Sequence, residues 1–258
     1  MPPSRIHAFW CRIPSRPNFG DALTPWMIRR IAGVHPVFVR PEDPRDKYLV
    51  VGSILEYATA QCTVWGSGII GRTDAVSPKA NILAVRGPLS WLRAKECGAA
   101  CPEVFGDPAL LLPRFYQPRA GARAGVGVIP HYSDKPRMVG RWSGSEACRL
   151  IDIQDPIESV IDQIASCEVV ASSSLHGLIV SHAYGVPALW VKFRDLPCSD
   201  DTKFQDYYLS LGSSSTEPRW LDERNFTADE IMRCVDETPP ALPDLDALWR
   251  SCPFRSAA

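Results

Sequence analysis

The sequence predicts an α/β protein built from two doubly wound halves, each a parallel sheet covered by helices. Six short apolar runs end at Gly, Pro or polar residues and alternate with segments of helical periodicity, which is typical of parallel α/β layers. The predicted strands are 48–52, 62–66, 82–86, 126–130, 167–171 and 187–191. Predicted helices include 23–31, 87–97, 157–166 and a segment beginning at 177.

A Pro-, Gly- and Arg-rich stretch at 112–125 separates the third predicted strand from the fourth. Such a composition is typical of a linker, because Gly and Pro interrupt regular structure. We therefore divide the chain into an N-terminal α/β domain, 1–118, and a C-terminal α/β domain, 119–258, facing each other across a cleft. With 258 residues in total, each half is long enough to bury its own core.

Composition excludes several classes of protein. The 28 Lys and Arg residues nearly balance the 29 Asp and Glu residues, so no global field would attract nucleic acid or an acidic membrane. No apolar run is long enough to span a bilayer, and the first residues lack the apolar core of a signal peptide. The nine cysteines include no CxxC pair, which indicates reduced thiols. We expect a cytoplasmic protein without a metal.

The segment 172–183 carries the strongest functional signal. Three hydroxyls, Ser172, Ser173 and Ser174, follow an apolar strand and precede His176 and a helical pattern. In open α/β sheets, ligands bind at the carboxyl ends of strands, where the N–H groups of the next helix can hold an anion. The sequence therefore predicts His176 in a strand-to-helix turn that binds a phosphate or carboxylate.

Two motifs in the first half place polar or small residues before helices or after strands. Asn18 and Asp21 surround a glycine just before a helical pattern, which indicates either a helix N-cap or a loop that also faces substrate. The small residues at 52–53 and 66–68 either allow close approach of a ligand or of another part of the backbone, or form only a tight turn.

Arg86 ends a predicted strand and is followed by Gly and Pro, which open a helix. A guanidinium at this position could bind a carboxylate or phosphate in bidentate fashion. The alternative is a structural salt bridge to Asp or Glu elsewhere in the domain. Asp107, before Pro108, is predicted as an N-cap first and a ligand contact second.

Further candidates lie in the second half. His131 follows the first strand after the linker, and Lys192 leaves a later strand directly, where its ammonium group could neutralise an anion. Lys203, with Asp206 and Tyr207, either contributes to the site or lies on a solvated helix. His182, inside a predicted helix, is interpreted as half-buried packing.

In their order along the chain, these motifs together resemble the polysaccharide pyruvyl transferase family. The motifs are Asn-Phe-Gly-Asp at 18–21, Gly-Ser-Ile-Leu at 52–55, Trp-Gly-Ser-Gly at 65–68, Arg-Gly-Pro at 86–88, Gly-Asp-Pro at 106–108, Ser-Ser-Ser-Leu-His-Gly at 172–177 and the Lys/Asp/Tyr segment at 203–208. Each motif alone is weak, but their order is specific to the family.

The resemblance implies a GT-B-like fold and transfer of the enolpyruvyl-derived group of phosphoenolpyruvate to two hydroxyls of a sugar, forming a ketal and releasing phosphate. It also implies an acceptor in a lipid-linked exopolysaccharide repeat unit, carried on polyprenyl diphosphate. On this view 1–118 is the acceptor side and 119–258 the phosphoenolpyruvate side. Membrane contact would be peripheral and transient, at the inner face of the cell membrane.

We assign roles to the candidates on this basis. His176 is the acid that protonates the enol methylene, because imidazolium titrates near neutral pH. Arg86 and Lys192 hold the carboxylate and phosphate, and His131 binds the phosphate or assists its departure. Asp21 orients the acceptor hydroxyls. The remaining substrate-binding candidates are Asn18, Ser172, Ser173, Ser174 and Lys203, and no cofactor or metal is required besides the donor substrate.

Two alternatives stay open from the sequence. A GT-B glycosyltransferase with a nucleotide-sugar donor would share the fold and a histidine beside a phosphate site. A non-catalytic partner could keep the fold without activity.

Overall fold

The computed structural model describes residues 5–12, 18–119, 121–138, 148–196, 200–214, 216–222, 226–235 and 238–255. The first four residues, on which the prediction of no signal peptide depends, lie outside these ranges, as do parts of the linker and of the segment after 197. Within the described part of the chain, no helix combines the length and apolar character needed to span a membrane.

The strands are β1 His7–Phe9, β2 Val37–Phe38, β3 Lys47–Leu49, β4 Cys62–Trp65, β5 Asn81–Ala84, β6 Val126–Ile129, β7 Cys148–Leu150, β8 Val169–Ser172, β9 Ala188–Lys192 and β10 Arg219–Trp220. The helices are α1 Phe19–Ala32, α2 Pro88–Glu96, α3 Lys135–Met138, α4 Ile157–Ala165, α5 Leu175–Ala183, α6 Thr202–Ser210, α7 Ala228–Cys234 and α8 Leu245–Arg250. Short 3-10 helices cover Leu55–Tyr57 and Pro108–Arg114.

The chain folds into two compact units, each an α/β structure. Unit 1 contains Met1–Leu111, Cys198–Thr216 and Leu242–Ala258, and unit 2 contains Leu112–Pro197 and Glu217–Ala241. The predicted domain boundary at 118/119 differs from these units, because it assigns 198–216 and 242–258 to the C-terminal domain. Both segments return to unit 1, where the Trp65 indole donates a hydrogen bond to the carbonyl of Leu248 at 3.0 Å.

Unit 1 contains a five-stranded parallel sheet in the order β2-β1-β3-β4-β5. All three of its strands that were predicted from apolar runs are confirmed, and β1 and β2 were missed. Its core is formed by apolar side chains of the strands and of the segments that follow them, among them Leu49, Ile54, Leu55, Val64, Ile69, Ile82 and Val85. Burial of this apolar surface is the main force that holds the unit together.

Helix α1 illustrates why the sequence folds as it does locally. Asn18 caps its first turn, and Gly33 ends it in the left-handed conformation at φ 74°, which glycine adopts without steric cost. Phe19, Leu23 and Met27 lie on its buried face at helical spacing. The helix therefore begins four residues before the predicted start, at the cap that the motif indicated.

Unit 2 contains the second parallel sheet, in the order β10-β9-β8-β6-β7. The three strands predicted here are confirmed, whereas β7 and β10 were missed. Its core is built around β6, β8 and β9 and includes Val126, Val128, Met138, Val169, Ala171, Val191, Leu221 and Ile231. Because β9, β8 and β6 are neighbours and parallel, the residues that follow them share one edge of the sheet.

Candidate active site

Asn18 and Asp21 form the first turn of α1 in unit 1. The Asn18 side-chain oxygen accepts a hydrogen bond from the Asp21 backbone N–H at 3.3 Å, so the predicted N-cap is confirmed. Asp21 is half-buried in that turn, where the helix dipole favours a negative charge. Burial, and secondarily the Asp21 carboxylate, raises the pKa of the Cys11 thiol to about 11, so this thiol stays protonated at neutral pH.

Arg86 is completely buried in unit 1 and forms a structural salt bridge, the second of the two roles that the sequence left open. Its Nε donates to Asp206 Oδ2 at 3.0 Å, its Nη1 to Ser53 Oγ at 2.7 Å and its Nη2 to the Ile69 carbonyl at 2.5 Å. The side chains of both members of the ion pair are 0% exposed. In place of the substrate contact predicted for Arg86, the guanidinium makes three hydrogen bonds inside the protein, as a buried charge requires partners.

The glycines near Arg86 make room for this ion pair. A Cβ at Gly68 would lie 2.4 Å from the Arg86 Cζ, and one at Gly87 would lie 2.0 Å from the carbonyl oxygen of Asp206. Both separations are far below van der Waals contact, so no larger residue fits. The close approach predicted from the small residues at 66–68 is therefore made by the Arg86 side chain of the protein itself.

Helix α6 packs against α2 in unit 1, and the interpretation of its residues as a solvated surface is wrong for two of them. Asp206 and Tyr207 are both completely buried, and burial raises the pKa of the Tyr207 hydroxyl well above its usual value. Lys203 is half-buried, with its Nζ 5.3 Å from the centre of the Phe204 ring. Its predicted contact with substrate stays a prediction.

Asp107 is buried at the start of the 3-10 helix Pro108–Arg114. Its Oδ1 accepts the Ala109 backbone N–H at 2.9 Å. This hydrogen bond supports the capping role predicted for Asp107.

The serine-rich turn of unit 2 is held by Ser172, whose hydroxyl is fully buried. Its Oγ donates toward the carbonyls of Ile129 and Ser174, at 3.1 and 2.8 Å, and accepts the Ser174 backbone N–H at 3.0 Å. A Cβ at Gly177 would lie 2.3 Å from this Oγ. The turn therefore needs a serine at 172 and a glycine at 177.

His176 lies in the first turn of α5, because that helix begins at Leu175 with Ser174 as its N-cap. The sequence predicts His176 in the turn before the helix, whereas the helix starts two residues earlier than predicted and includes it. The residue is half-buried, with its ring Nε2 atom buried, and the N-terminal N–H groups of α5 are at the same end of the helix. This combination of an imidazole and a helix N-terminus favours an anionic ligand.

His131 directly follows Pro130 at the end of β6. Its backbone N–H donates to Ser173 Oγ at 2.8 Å, and the Ser173 hydroxyl donates to Asp134 Oδ2 at 3.1 Å. These hydrogen bonds connect the carboxyl ends of β6 and β8. The structure thus brings together His131 and Ser173, two candidates that the sequence predicts at the ends of separate strands.

Asp134 and Arg194 complete this arrangement, and neither was predicted from the sequence as a site residue. Arg194 Nε donates to Asp134 Oδ1 at 2.7 Å, and Asp134 is 1% exposed. Arg194 follows β9, so its guanidinium lies at the same sheet edge as His131 and Ser173. The signal available in the sequence is a cation shortly after the end of a strand, the same feature that predicted Arg86 as a site residue.

Lys192 is the last residue of β9 and is 7% exposed. Its Nζ donates to Asp195 Oδ1 at 2.7 Å and lies 4.9 Å from the centre of the Trp220 ring. Asp195 is largely exposed, so water screens this ion pair. An anion could therefore compete with Asp195 for the ammonium group.

His182, at the end of α5, is buried rather than half-buried, in agreement with a packing role. Burial lowers its pKa to about 4, although a backbone hydrogen bond at Ala188 opposes the shift. The ring is consequently neutral at physiological pH and does not supply a charge.

Unit 2 thus collects His131, Ser173, His176, Lys192 and Arg194 along the carboxyl edge of its sheet. This is the position at which open α/β sheets bind ligands. Across the described residues, no group of three or more His, Cys, Asp or Glu side chains is arranged to hold a metal ion, and none of the described cysteines forms a disulfide. The edge can bind an anion through cations and backbone N–H groups.

Comparison with known proteins identifies the class. The family model for polysaccharide pyruvyl transferase matches residues 7–193. Uncharacterized protein L143 of Acanthamoeba polyphaga mimivirus is 30% identical over 206 residues, which cover 76% of this chain and 71% of that protein. Succinoglycan biosynthesis protein ExoV of Rhizobium meliloti (strain 1021) is 28% identical over 209 residues, covering 76% of this chain and 62% of ExoV.

The chain belongs to the polysaccharide pyruvyl transferase family, so the resemblance found in the sequence motifs is confirmed. It is an enzyme of the pyruvyl transferase type with a role in polysaccharide biosynthesis. The nucleotide-sugar glycosyltransferase that the sequence left open is therefore not the class to which it belongs.

Proposed function

We propose that this enzyme transfers the enolpyruvyl-derived group of phosphoenolpyruvate to two hydroxyls of a sugar in a lipid-linked exopolysaccharide repeat unit. The product is a pyruvate ketal, and inorganic phosphate is released. The observation that carries the proposal is the set of cationic and donor groups at the carboxyl edge of the unit 2 sheet. Phosphoenolpyruvate has a carboxylate and a phosphate, and this edge offers two positively charged side chains, Lys192 and Arg194, beside the start of α5.

In the first step a proton adds to the methylene carbon of phosphoenolpyruvate, and a sugar hydroxyl forms a bond to carbon 2. In the second step the bond from carbon 2 to the phosphate oxygen breaks, and the second hydroxyl takes that place. One hydroxyl proton balances the proton added to the methylene, and the other leaves with phosphate. The carbon skeleton ends as a methyl-bearing ketal, so no oxidant or reductant is needed.

His176 is our candidate for the acid of the first step. Its position in the first turn of α5 supports this role, because a phosphate held by the N-terminal N–H groups would keep the methylene in the same region as the imidazole. The carboxylate of phosphoenolpyruvate itself stabilises the positive charge that develops at the adjacent carbon 2. The helix N-terminus and the cations stabilise the departing phosphate.

Lys192 and Arg194 take the anion-binding role first assigned to Lys192 and Arg86. Arg86 is unsuited to it because its guanidinium is completely buried and paired with Asp206. Ser172, whose hydroxyl is fully used inside the turn, acts by fixing the start of α5. The roles of Asn18, Asp21 and Lys203 on the acceptor stay predictions, as do the GT-B-like arrangement and a peripheral position at the membrane.

The test is phosphate release from phosphoenolpyruvate by the purified enzyme, with and without a lipid-linked oligosaccharide extract from the source organism. Acceptor-dependent release, accompanied by a glycan whose mass has increased by one pyruvate ketal, supports the proposal. Release that is independent of the acceptor, or a product without the ketal mass, contradicts it. The Lys192→Met variant tests whether this edge binds phosphoenolpyruvate, since loss of the ammonium group should raise the KM for phosphoenolpyruvate about tenfold or more.

A further inference from the structure

We propose that Arg194 is a positioning residue that fixes His131 as the neutral tautomer with its proton on Nε2. The inference rests on the proposed function in one respect, namely that His131 faces the donor substrate. It concerns a network of side chains in unit 2 that connects the ends of β6, β8 and β9.

The Nδ1 side of His131 is held by Ser133. The Ser133 backbone N–H points at His131 Nδ1 at 3.3 Å, and the Ser133 hydroxyl oxygen lies 2.8 Å from the same nitrogen. A backbone N–H can only donate, so Nδ1 acts as an acceptor in this contact. A neutral imidazole that accepts at Nδ1 has its proton on Nε2.

Arg194 decides the direction of the second hydrogen bond. Its Nη2 donates to the Ser133 hydroxyl oxygen at 3.0 Å and to the Ser133 carbonyl at 3.1 Å. A hydroxyl that accepts from a guanidinium keeps its own proton for another partner, and His131 Nδ1 is within reach. Two donors therefore converge on Nδ1, and both disfavour a proton there.

Asp134 holds the guanidinium in this orientation. It accepts Arg194 Nε at 2.7 Å and the Ser173 hydroxyl at 3.1 Å, and it is almost completely buried. The Ser173 oxygen in turn accepts the His131 backbone N–H at 2.8 Å. Both the ring and the backbone of His131 are thus tied to the same buried carboxylate.

The consequence is chemical. With its proton on Nε2, His131 is a hydrogen-bond donor at the ring edge opposite Ser133, which suits an anionic phosphate oxygen. It would not act as a base through that nitrogen. Arg194 hence contributes in two ways, with its charge near the anion and through its effect on His131.

The two-pronged geometry of Arg194 matters, because one prong binds Asp134 and the other binds Ser133. A lysine at this position could keep the ion pair with Asp134 but has no planar fork to reach both partners. Arg194→Lys is therefore the informative variant, since it preserves the charge. Arg149→Met is the matched control, because Arg149 also binds a serine hydroxyl in unit 2, that of Ser166, outside this network.

The experiment is nitrogen-15 NMR of the full-length enzyme with labelled histidine, at a pH about two units above the ordinary histidine pKa of about 6.5. The ring signals of His131 are assigned by their loss in His131→Gln. We expect an unprotonated Nδ1 and a protonated Nε2 in the wild type. In Arg194→Lys we expect a shifted Nδ1 signal with a second tautomer, and a kcat about tenfold lower, corresponding to one charge-assisted hydrogen bond. Arg149→Met should change neither.

A protonated Nδ1 in the wild type would overturn the inference, as would Arg194→Lys with unchanged His131 ring signals. Unchanged signals from the other histidines report that the variant is folded. The spectrum does not depend on turnover, so it decides the tautomer even if phosphoenolpyruvate proves not to be the donor. Failure of the proposed function would instead appear as normal spectra with no ketal product.

Discussion

Replacement of Asp206 by alanine tests whether Arg86 is a structural cation rather than a substrate contact. Asp206 accepts Arg86 Nε at 3.0 Å, the Ser90 backbone N–H at 2.9 Å and the Ser90 hydroxyl at 2.6 Å. The variant leaves a completely buried guanidinium without its counter-ion. Removal of one partner from a buried pair costs about 3–5 kcal/mol, so we expect the free energy of unfolding of unit 1 to fall by about 4 kcal/mol.

The assay is urea unfolding followed by tryptophan fluorescence, since Trp65 and Trp91 both lie in unit 1. Glu96→Ala is the control, because it removes a surface ion pair with Arg93, 3.2 Å long, whose glutamate side chain is 53% exposed. Pairs of that kind contribute about 0–1 kcal/mol. The two variants should therefore differ by several-fold in their effect on stability.

A double replacement sharpens the test. Arg86→Met combined with Asp206→Leu removes both charges and restores apolar packing, which for buried pairs is often neutral or stabilising. We expect it to recover most of the stability lost in Asp206→Ala. If Asp206→Ala loses no more stability than the control, Arg86 is not a structural cation, above all if the KM for phosphoenolpyruvate rises at the same time.

Four further predictions concern unit 2. His176→Ala should fold normally and lower kcat by roughly 10²–10⁴, the contribution of a general acid, measured by phosphate release. Gly177→Ala should cost about 1–3 kcal/mol by overpacking, whereas Gly121→Ala, where nothing lies within 4 Å of the added Cβ, should be neutral in urea unfolding. The pKa of His182 is about 4 in the folded protein, below its unfolded value of about 6.5, so the unfolded state binds more protons and stability falls as pH drops from about 6.5 to about 4. This loss of stability is about 3 kcal/mol. It should be absent from the pH dependence of thermal unfolding in His182→Gln. Lys192→Met should weaken phosphoenolpyruvate binding, measured by calorimetry, about tenfold or more while His176→Ala leaves binding nearly unchanged.

Local sequence patterns predicted the parts of the fold that depend on neighbouring residues. The six predicted strands are all present because each is a buried apolar run between breakers. Strands β2 and β10 have only two residues, too few for a periodicity to be visible, whereas β1 begins with a histidine and β7 has Arg149 at its centre, so neither forms a continuous apolar run. Their place in the sheets is decided by neighbouring strands, which a single segment does not reveal.

The serine-histidine turn was predicted well for the same reason. The hydrogen bonds of Ser172 connect it to Ser174, and the required glycine lies five residues later, so the motif is nearly complete within one short segment. Only the helix start was misplaced, by two residues. The sequence thus contained the information needed to place His176 at the sheet edge.

Arg86 shows where such reasoning fails. A cation after a strand predicts a ligand contact only if its charged group stays accessible, and Arg86 is completely buried against Asp206, 120 positions further along the chain. Arg194 is also paired with a distant carboxylate, that of Asp134 60 positions earlier, but its side chain keeps 29% exposure and can still reach an anion. Which strand-end cation is internal and which lies near the candidate site depends on tertiary packing.

The most direct test of the account is the enzymatic reaction in D₂O with phosphoenolpyruvate and the lipid-linked acceptor. We expect a ketal whose methyl group has gained one deuterium from solvent, because an acid protonates the enol methylene before a sugar hydroxyl adds to carbon 2. The isotope should appear in the glycan at the same rate as phosphate appears in solution. A ketal methyl without solvent deuterium, or phosphate release with no ketal, would contradict the account.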